Sequence, residues 1–131
     1  MAEAIMRHVS KGAIEVESAG SVPQADIHPM ARLAVRRLLD LDLSGQYPKA
    51  VDLFVGQPFD YVITVCGRAE ETCPIFPHHP ERIHWGFDDP AAVTGTSEEQ
   101  QRAFDAMAKE LLARIRLWMA LPEVRRQIDG R

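Results

Sequence analysis

Two cysteines in 131 residues are too few for a disulfide scaffold. No apolar run approaches the roughly eighteen residues of a membrane span. The opening Met1-Ala2-Glu3-Ala4-Ile5-Met6-Arg7-His8 lacks the uninterrupted apolar core of a signal peptide. Basic residues are outnumbered, with 15 Lys and Arg against 19 Asp and Glu, for a net charge of −4. Nucleic acid is therefore not a default partner, because phosphate binding needs a basic face. These absences place the chain, as an expectation, in the cytoplasm. There a cysteine pair is more often catalytic or redox-active than structural.

What is present is the composition of an ordinary soluble domain, 46% apolar and 26% charged. The length suits one domain spanning residues 1–131, with one core. Residues 1–10 read as an uncapped helix ended by Gly12. Residues 14–19 alternate as a half-buried strand stopped by Gly20. A helix begins at Pro29, carries Met30, Ala34, Leu38 and Leu41 on one face, and ends within 40–45. Residues 48–54 read as a short helix.

The strongest strand is Tyr61-Val62-Ile63-Thr64-Val65-Cys66, an apolar run suited to a parallel sheet covered on both faces. Residues 67–80 read as irregular, 83–87 as a last short strand and 88–96 as a loop. Ser97 is expected to cap a long helix that buries Phe104, Met107, Leu111, Ile115 and Trp118. Residues 123–131 are expected to form a loose tail. The order of elements is of the βα type.

Cys66 closes the apolar strand, and the carboxyl ends of strands are where ligands gather in open α/β sheets. Arg68 would favour its thiolate; Glu70 and Glu71 would oppose it. The plain alternative is that Cys66 and Cys73 are buried core thiols. Were residues 66–73 one helix, the two Cα atoms would stand roughly 10 Å apart. A disulfide needs about 4.4–6.8 Å, so bonding would require the segment to unwind. Gly67 and Pro74 bracket it. His78, His79 and His84 with the cysteines match no compact zinc spacing, so loop histidines are the simpler reading. Asp88 and Asp89, between Phe87 and Pro90, suit either a general acid of raised pKa or an ordinary turn.

Three segments together carry a resemblance. Val65-Cys66-Gly67, then Thr72-Cys73-Pro74-Ile75-Phe76-Pro77, then His84-Trp85-Gly86-Phe87-Asp88-Asp89-Pro90-Ala91 resemble the thioredoxin-coupled arsenate reductases. These are relatives of the low-molecular-weight protein tyrosine phosphatases. Met1-Ala2-Glu3-Ala4 resembles the helix after their phosphate loop, and Ser18-Ala19-Gly20 the end of their second strand. The resemblance implies an α/β three-layer sandwich with a parallel sheet. It implies a relay in which a phosphate-loop cysteine attacks arsenate and the position of Cys66 attacks the adduct. The position of Cys73 then leaves a Cys66–Cys73 disulfide for thioredoxin, and the position of Asp89 protonates the leaving oxygen. The implied partners are the oxyanion and thioredoxin, with no bound cofactor, acting on a monomer.

The chain departs from that pattern. It contains no Cys-x5-Arg: six residues after Cys66 stands Thr72, and six after Cys73 stands His79. The expectation is therefore an N-terminally incomplete family member, without the first central strand and phosphate loop, that reduces no arsenate as written. Some members bind potassium through acidic and hydroxyl groups. Glu3 and Ser18 match two such ligands, but Lys49 stands in an acidic ligand's place, so no metal is expected. The competing readings are a phosphotyrosine phosphatase, which has no need of a thiol relay, and a non-enzymatic remnant or thiol-redox switch.

Overall fold

The computed structural model describes residues 1–19, 27–43, 49–54, 56–66, 80–87 and 90–130. The elements follow as α1 (Ala2–Val9), α2 (Pro29–Leu39), β1 (Tyr61–Cys66), β2 (Glu81–Phe87), α3 (Ser97–Met119) and α4 (Pro122–Asp129). Single 3-10 turns at Val51–Phe54 and Pro90–Ala92 precede β1 and α3. β1 and β2 pair in parallel, as the β-branched run of β1 predicts. Tyr61 lies beside Glu81, Thr64 beside His84 and Cys66 beside Phe87. Between Thr64 and Cys66 the register slips, because β2 takes three residues where β1 takes two. This is the expected α/β architecture with a parallel sheet.

Strand alternation divides the sheet. Tyr61, Ile63, Val65, Ile83 and Phe87 pack on the core, and Trp85 is part of it. On the other face Arg82, His84 and Gly86 are exposed. The core is finished by helices with apolar residues at intervals of three and four. α3 buries Phe104, Ala108, Leu111, Leu112, Ile115, Trp118 and Met119. α1 contributes Ala4, Ile5 and Met6, and Val35 of α2 joins them. Ile5, Val35, Leu43, Leu111, Ile115 and Val124 are almost wholly enclosed. Each such side chain contributes roughly 1.5–3 kcal/mol by leaving water. α2 approaches α3 closely because Ala31, Ala34 and Ala108 are small, with Phe104 filling the remainder. His28 stacks on Phe104 with ring centroids 4.5 Å apart, and its Nδ1 accepts the Met30 N–H at 3.1 Å, capping α2. Arg37 and Asp105 join the same two helices at 3.2 Å.

Five expectations need correction. Residues 14–19 keep the alternation of a strand, with Ile14 and Val16 half-buried and Glu15 and Glu17 exposed. They nevertheless join no ladder among the described residues. A ladder needs a neighbour about 4.8 Å away. A cleft of about 510 Å³ is instead bounded by these residues on one side and β1 on the other. β1 is accordingly half-buried from Tyr61 to Val65 rather than sealed on both faces.

The tail is a helix. Leu121 precedes Pro122 at its first turn, and Val124 drives into the core with Ile128 one turn on. Thr96, not Ser97, caps α3, its hydroxyl accepting the Glu99 N–H at 3.1 Å. The predicted helix at 48–54 is the 3-10 turn Val51–Phe54, with residue 48 outside the described residues.

Among the described residues no helix is long and apolar enough to cross a membrane.

Ile115→Ala should cost roughly 2–5 kcal/mol of unfolding free energy, since it empties a fully enclosed site. Leu117→Ala, on the exposed side of the same helix, should change stability by no more than about 0.5 kcal/mol. Urea denaturation of the two variants checks the assignment of the buried face.

Candidate functional site

The carboxyl ends of β1 and β2 lie side by side, as two parallel strands require. Cys66 is the last residue of β1, so its backbone stands at that edge, with Phe87 as its register partner. Cys73, Asp88 and Asp89 lie outside the described residues, as do Arg68, Glu70, Glu71, His78 and His79. What flanks Asp88 and Asp89 is described. Phe87 ends β2 against the core, and Pro90 is buried at the start of its 3-10 turn. Gln100 of α3 donates to the Ala91 carbonyl at 3.1 Å and ties that turn to the helix. The structure thus brings the backbones of Cys66 and Phe87 together at the carboxyl ends of the two strands.

One side-chain pair spans the exposed face of the sheet. Thr64 Oγ1 and His84 Nδ1 are 2.6 Å apart, across directly paired residues. A Cβ added at Gly86 would stand 3.5 Å from His84 Nε2. The imidazole therefore leans along β2 toward the end that carries Cys66. Behind it, on the opposite face, Trp85 meets Trp118 edge-on at 6.5 Å, and Trp118 meets Tyr61 edge-on at 5.2 Å.

A charged cluster stands at the other side of the cleft. Glu3, in the first turn of α1, is buried. Its Oε1 accepts from the Ser18 N–H and the Ser18 hydroxyl, each at 2.8 Å, and from Lys49 Nζ at 3.3 Å. Lys49 also reaches Glu17 at 2.8 Å, while Arg7 lies 3.5 Å from Glu3 and donates to the Val16 carbonyl. Burial alone would push the Glu3 carboxyl up. The Ser18 hydroxyl, the Lys49 ammonium and the Ser18 amide outweigh it and hold the carboxyl below its ordinary value. Burial likewise pulls Lys49 down, and its bonds to Glu17 and Glu3 reverse this and raise it. A cationic nitrogen thus already sits between the two carboxylates. Among the described residues no group of three or more His, Cys, Asp or Glu is placed to hold a metal ion.

Between cluster and sheet runs the cleft, bounded by Met6, Val16, Ile63, Val65 and Trp118 among others. The buried indole N–H of Trp118 has no hydrogen-bond partner among the described residues.

Sequence reasoning singled out Cys66, Glu3, Ser18 and Lys49, and took His84 for a loop histidine. It passed over Thr64, Arg7 and Glu17. The three-residue-plus-one spacing of Glu3 and Arg7 on a helix was a usable signal for their pairing. Nothing local signals the pairing of Thr64 with His84, which depends on strand register.

Comparison with known proteins gives one consistent answer. The family model described as low molecular weight phosphotyrosine protein phosphatase matches residues 1–129. An arsenate reductase of Shouchella clausii is 37% identical over 116 residues, covering 88% of this chain and 82% of that protein. An arsenate reductase of Bacillus licheniformis is 40% identical over 101 residues, covering 77% and 71%. A solved arsenate reductase in its reduced state superposes with a TM-score of 0.66 at 23% identity, covering 91% of this chain and 85% of the other. That likeness speaks to the fold. The thioredoxin-dependent arsenate reductase of Corynebacterium glutamicum superposes with a TM-score of 0.56 at 28% identity, covering 88% of this chain and 54% of that one.

The Glu3 cluster has a definite pH signature. A carboxyl held below its unfolded value stabilises the fold above that value and loses the contribution as the proton binds. Stability should therefore hold above the ordinary value of 4.5 and fall as pH drops below it. Glu3→Gln should flatten that part of the urea-denaturation profile. At pH 7, Lys49→Met should cost about 1–3 kcal/mol, because it strips a buried carboxylate of a charged partner.

Proposed function

The chain belongs to the low molecular weight phosphotyrosine protein phosphatase family, and we propose that within it this protein is an arsenate reductase whose cysteine relay is recycled by thioredoxin. The observation that carries the reading is the place of Cys66. It ends β1 at the carboxyl edge of a parallel sheet, in a chain 37% identical to a protein named arsenate reductase. A phosphatase needs no second and third thiol, whereas a relay needs both Cys66 and Cys73.

In this reading a phosphate-loop cysteine forms a bond to arsenic(V). The Cys66 thiolate attacks that cysteine's sulfur, the sulfur–arsenic bond breaks, and its electron pair leaves on arsenic as arsenite. Cys73 then attacks Cys66, displaces the first cysteine as a thiolate, and leaves the Cys66–Cys73 disulfide. The thioredoxin dithiol takes over that bond by two further exchanges. Asp89 protonates the departing oxygen. Glycine at 67 and proline at 74 suit a segment that must refold for the second exchange.

The 131 residues contain no Cys-x5-Arg loop, so the first nucleophile of this relay is not among them. The protein is proposed to act in the cytoplasm as a monomer.

The reading is tested on the oxidised 131-residue chain with thioredoxin, thioredoxin reductase and NADPH. About one NADPH should be consumed per chain as the Cys66–Cys73 bond opens, with no continuing turnover when arsenate is added. Cys73→Ser should abolish that consumption. An oxidised wild-type chain that thioredoxin leaves untouched would remove the relay.

A further inference from the structure

We propose that His28 is a pH-sensitive latch on α2, closed while its ring is neutral and released when the ring takes up a proton. The proposal stands apart from the relay reading.

The first turn of a helix carries N–H groups with no partner inside the helix, and a residue in front of it can accept from them. His28 fills that place. Its carbonyl accepts from the Ala31 N–H at 2.9 Å and the Arg32 N–H at 3.2 Å. Its Nδ1 accepts from the Met30 N–H at 3.1 Å. Serine, threonine, aspartate and asparagine are the usual caps, and none of them loses its acceptor near neutral pH. Imidazole is the side chain that changes charge in that range. The ring is also held where α2 meets α3. It stacks on the buried Phe104 with centroids 4.5 Å apart and 29° between the planes. Gln101, three residues before Phe104 on α3, donates to the Met30 carbonyl at 3.0 Å.

Accepting at Nδ1 requires the lone pair there, so the neutral ring carries its hydrogen on Nε2. The cation carries hydrogen on both nitrogens. A proton at Nδ1 therefore sets two N–H groups against each other and adds a positive charge at the positive end of the α2 dipole. Both effects break the cap. Stacking on Phe104 survives, because a cation is also attracted to an aromatic face. The ring stays seated, and the loss is confined to the first turn.

The charged groups on the packed elements give the cation little in return. Arg32, one turn along α2, has its sign. Asp105, beside Phe104 on α3, is bonded to Arg37 at 3.2 Å and to Gln101 at 3.0 Å. Arg102 pairs with Glu98 at 4.0 Å on the solvent side of α3. Met1 packs on the same cluster, and burial holds its amino group below its ordinary value against the pull of Glu3. Asp26 lies outside the described residues. A cap present only on the neutral ring contributes stability that is full at high pH and lost as pH falls and the proton binds.

The test is the urea midpoint of the 131-residue chain from pH 8 to pH 5, beside two variants. His28→Asn keeps a capping oxygen throughout that range. His28→Phe keeps a ring to stack on Phe104 but has no acceptor. His8, His78, His79 and His84 are common to all three chains, so the gaps between profiles isolate position 28. From pH 8 to pH 5 the wild type should lose about 0.5 M against His28→Asn. Over the same range its lead over His28→Phe should shrink by a similar amount. Hydrogen exchange should place the change, with protection of the Met30 amide falling with pH in the wild type and holding level in His28→Asn. Either variant suffices if the other does not fold. A gap to a folded variant that stays constant from pH 8 to pH 5 would overturn the proposal, as would one that moves in the opposite direction.

Discussion

A carboxylate taken out of water must be met by donors or it will not stay charged, and Glu3 is such a carboxylate. Its partners come from three separate stretches of chain: Arg7 one turn along α1, Ser18 in residues 14–19, and Lys49 just before the Val51–Phe54 turn. The demand of one buried group thereby fixes the relation of α1 to two segments that lie outside the β1–β2 ladder. Residues 14–19 are held to the body of the protein by side-chain and single backbone bonds in place of a sheet. Removing any one donor leaves the charge less compensated, which is why the cluster behaves as a unit and not as a set of surface pairs.

The rest of the architecture is organised by the sheet's two unlike faces. One is apolar and lies under α1, α3 and α4, where the two tryptophans and Tyr61 meet edge-on. The other presents Thr64, His84 and the bare backbone of Gly86 beside the strand end that carries Cys66.

The parts of this arrangement that rest on local periodicity were legible in the sequence. β1 reads as a strand from six consecutive residues, and the buried face of α3 from Phe104, Leu111, Ile115 and Trp118, because burial repeats where the backbone repeats. The helix over Pro122–Asp129 was hidden because only Val124 and Ile128 are apolar within it, amid charged neighbours. Residues 14–19 read as a strand for a sound reason, their alternation, but a ladder also needs a neighbour, and no local pattern encodes one. The same holds for the site. Cys66 at the end of a strand could be placed from sequence, whereas Thr64 against His84 is a matter of register between segments twenty residues apart. Glu3 and Ser18 were visible through family resemblance alone, since fifteen residues separate them.

The strand Tyr-Val-Ile-Thr-Val-Cys that founds the sheet has a second consequence. It combines β-branched and aromatic residues with no charge and no proline, the composition of segments that self-associate into stacked fibrils. Among the described residues it hydrogen-bonds along one edge only, to β2. The edge beside the cleft therefore carries a latent hazard of its own. Nascent chains that expose it together would template one another, and colloidal behaviour during synthesis depends on how soon that edge is covered.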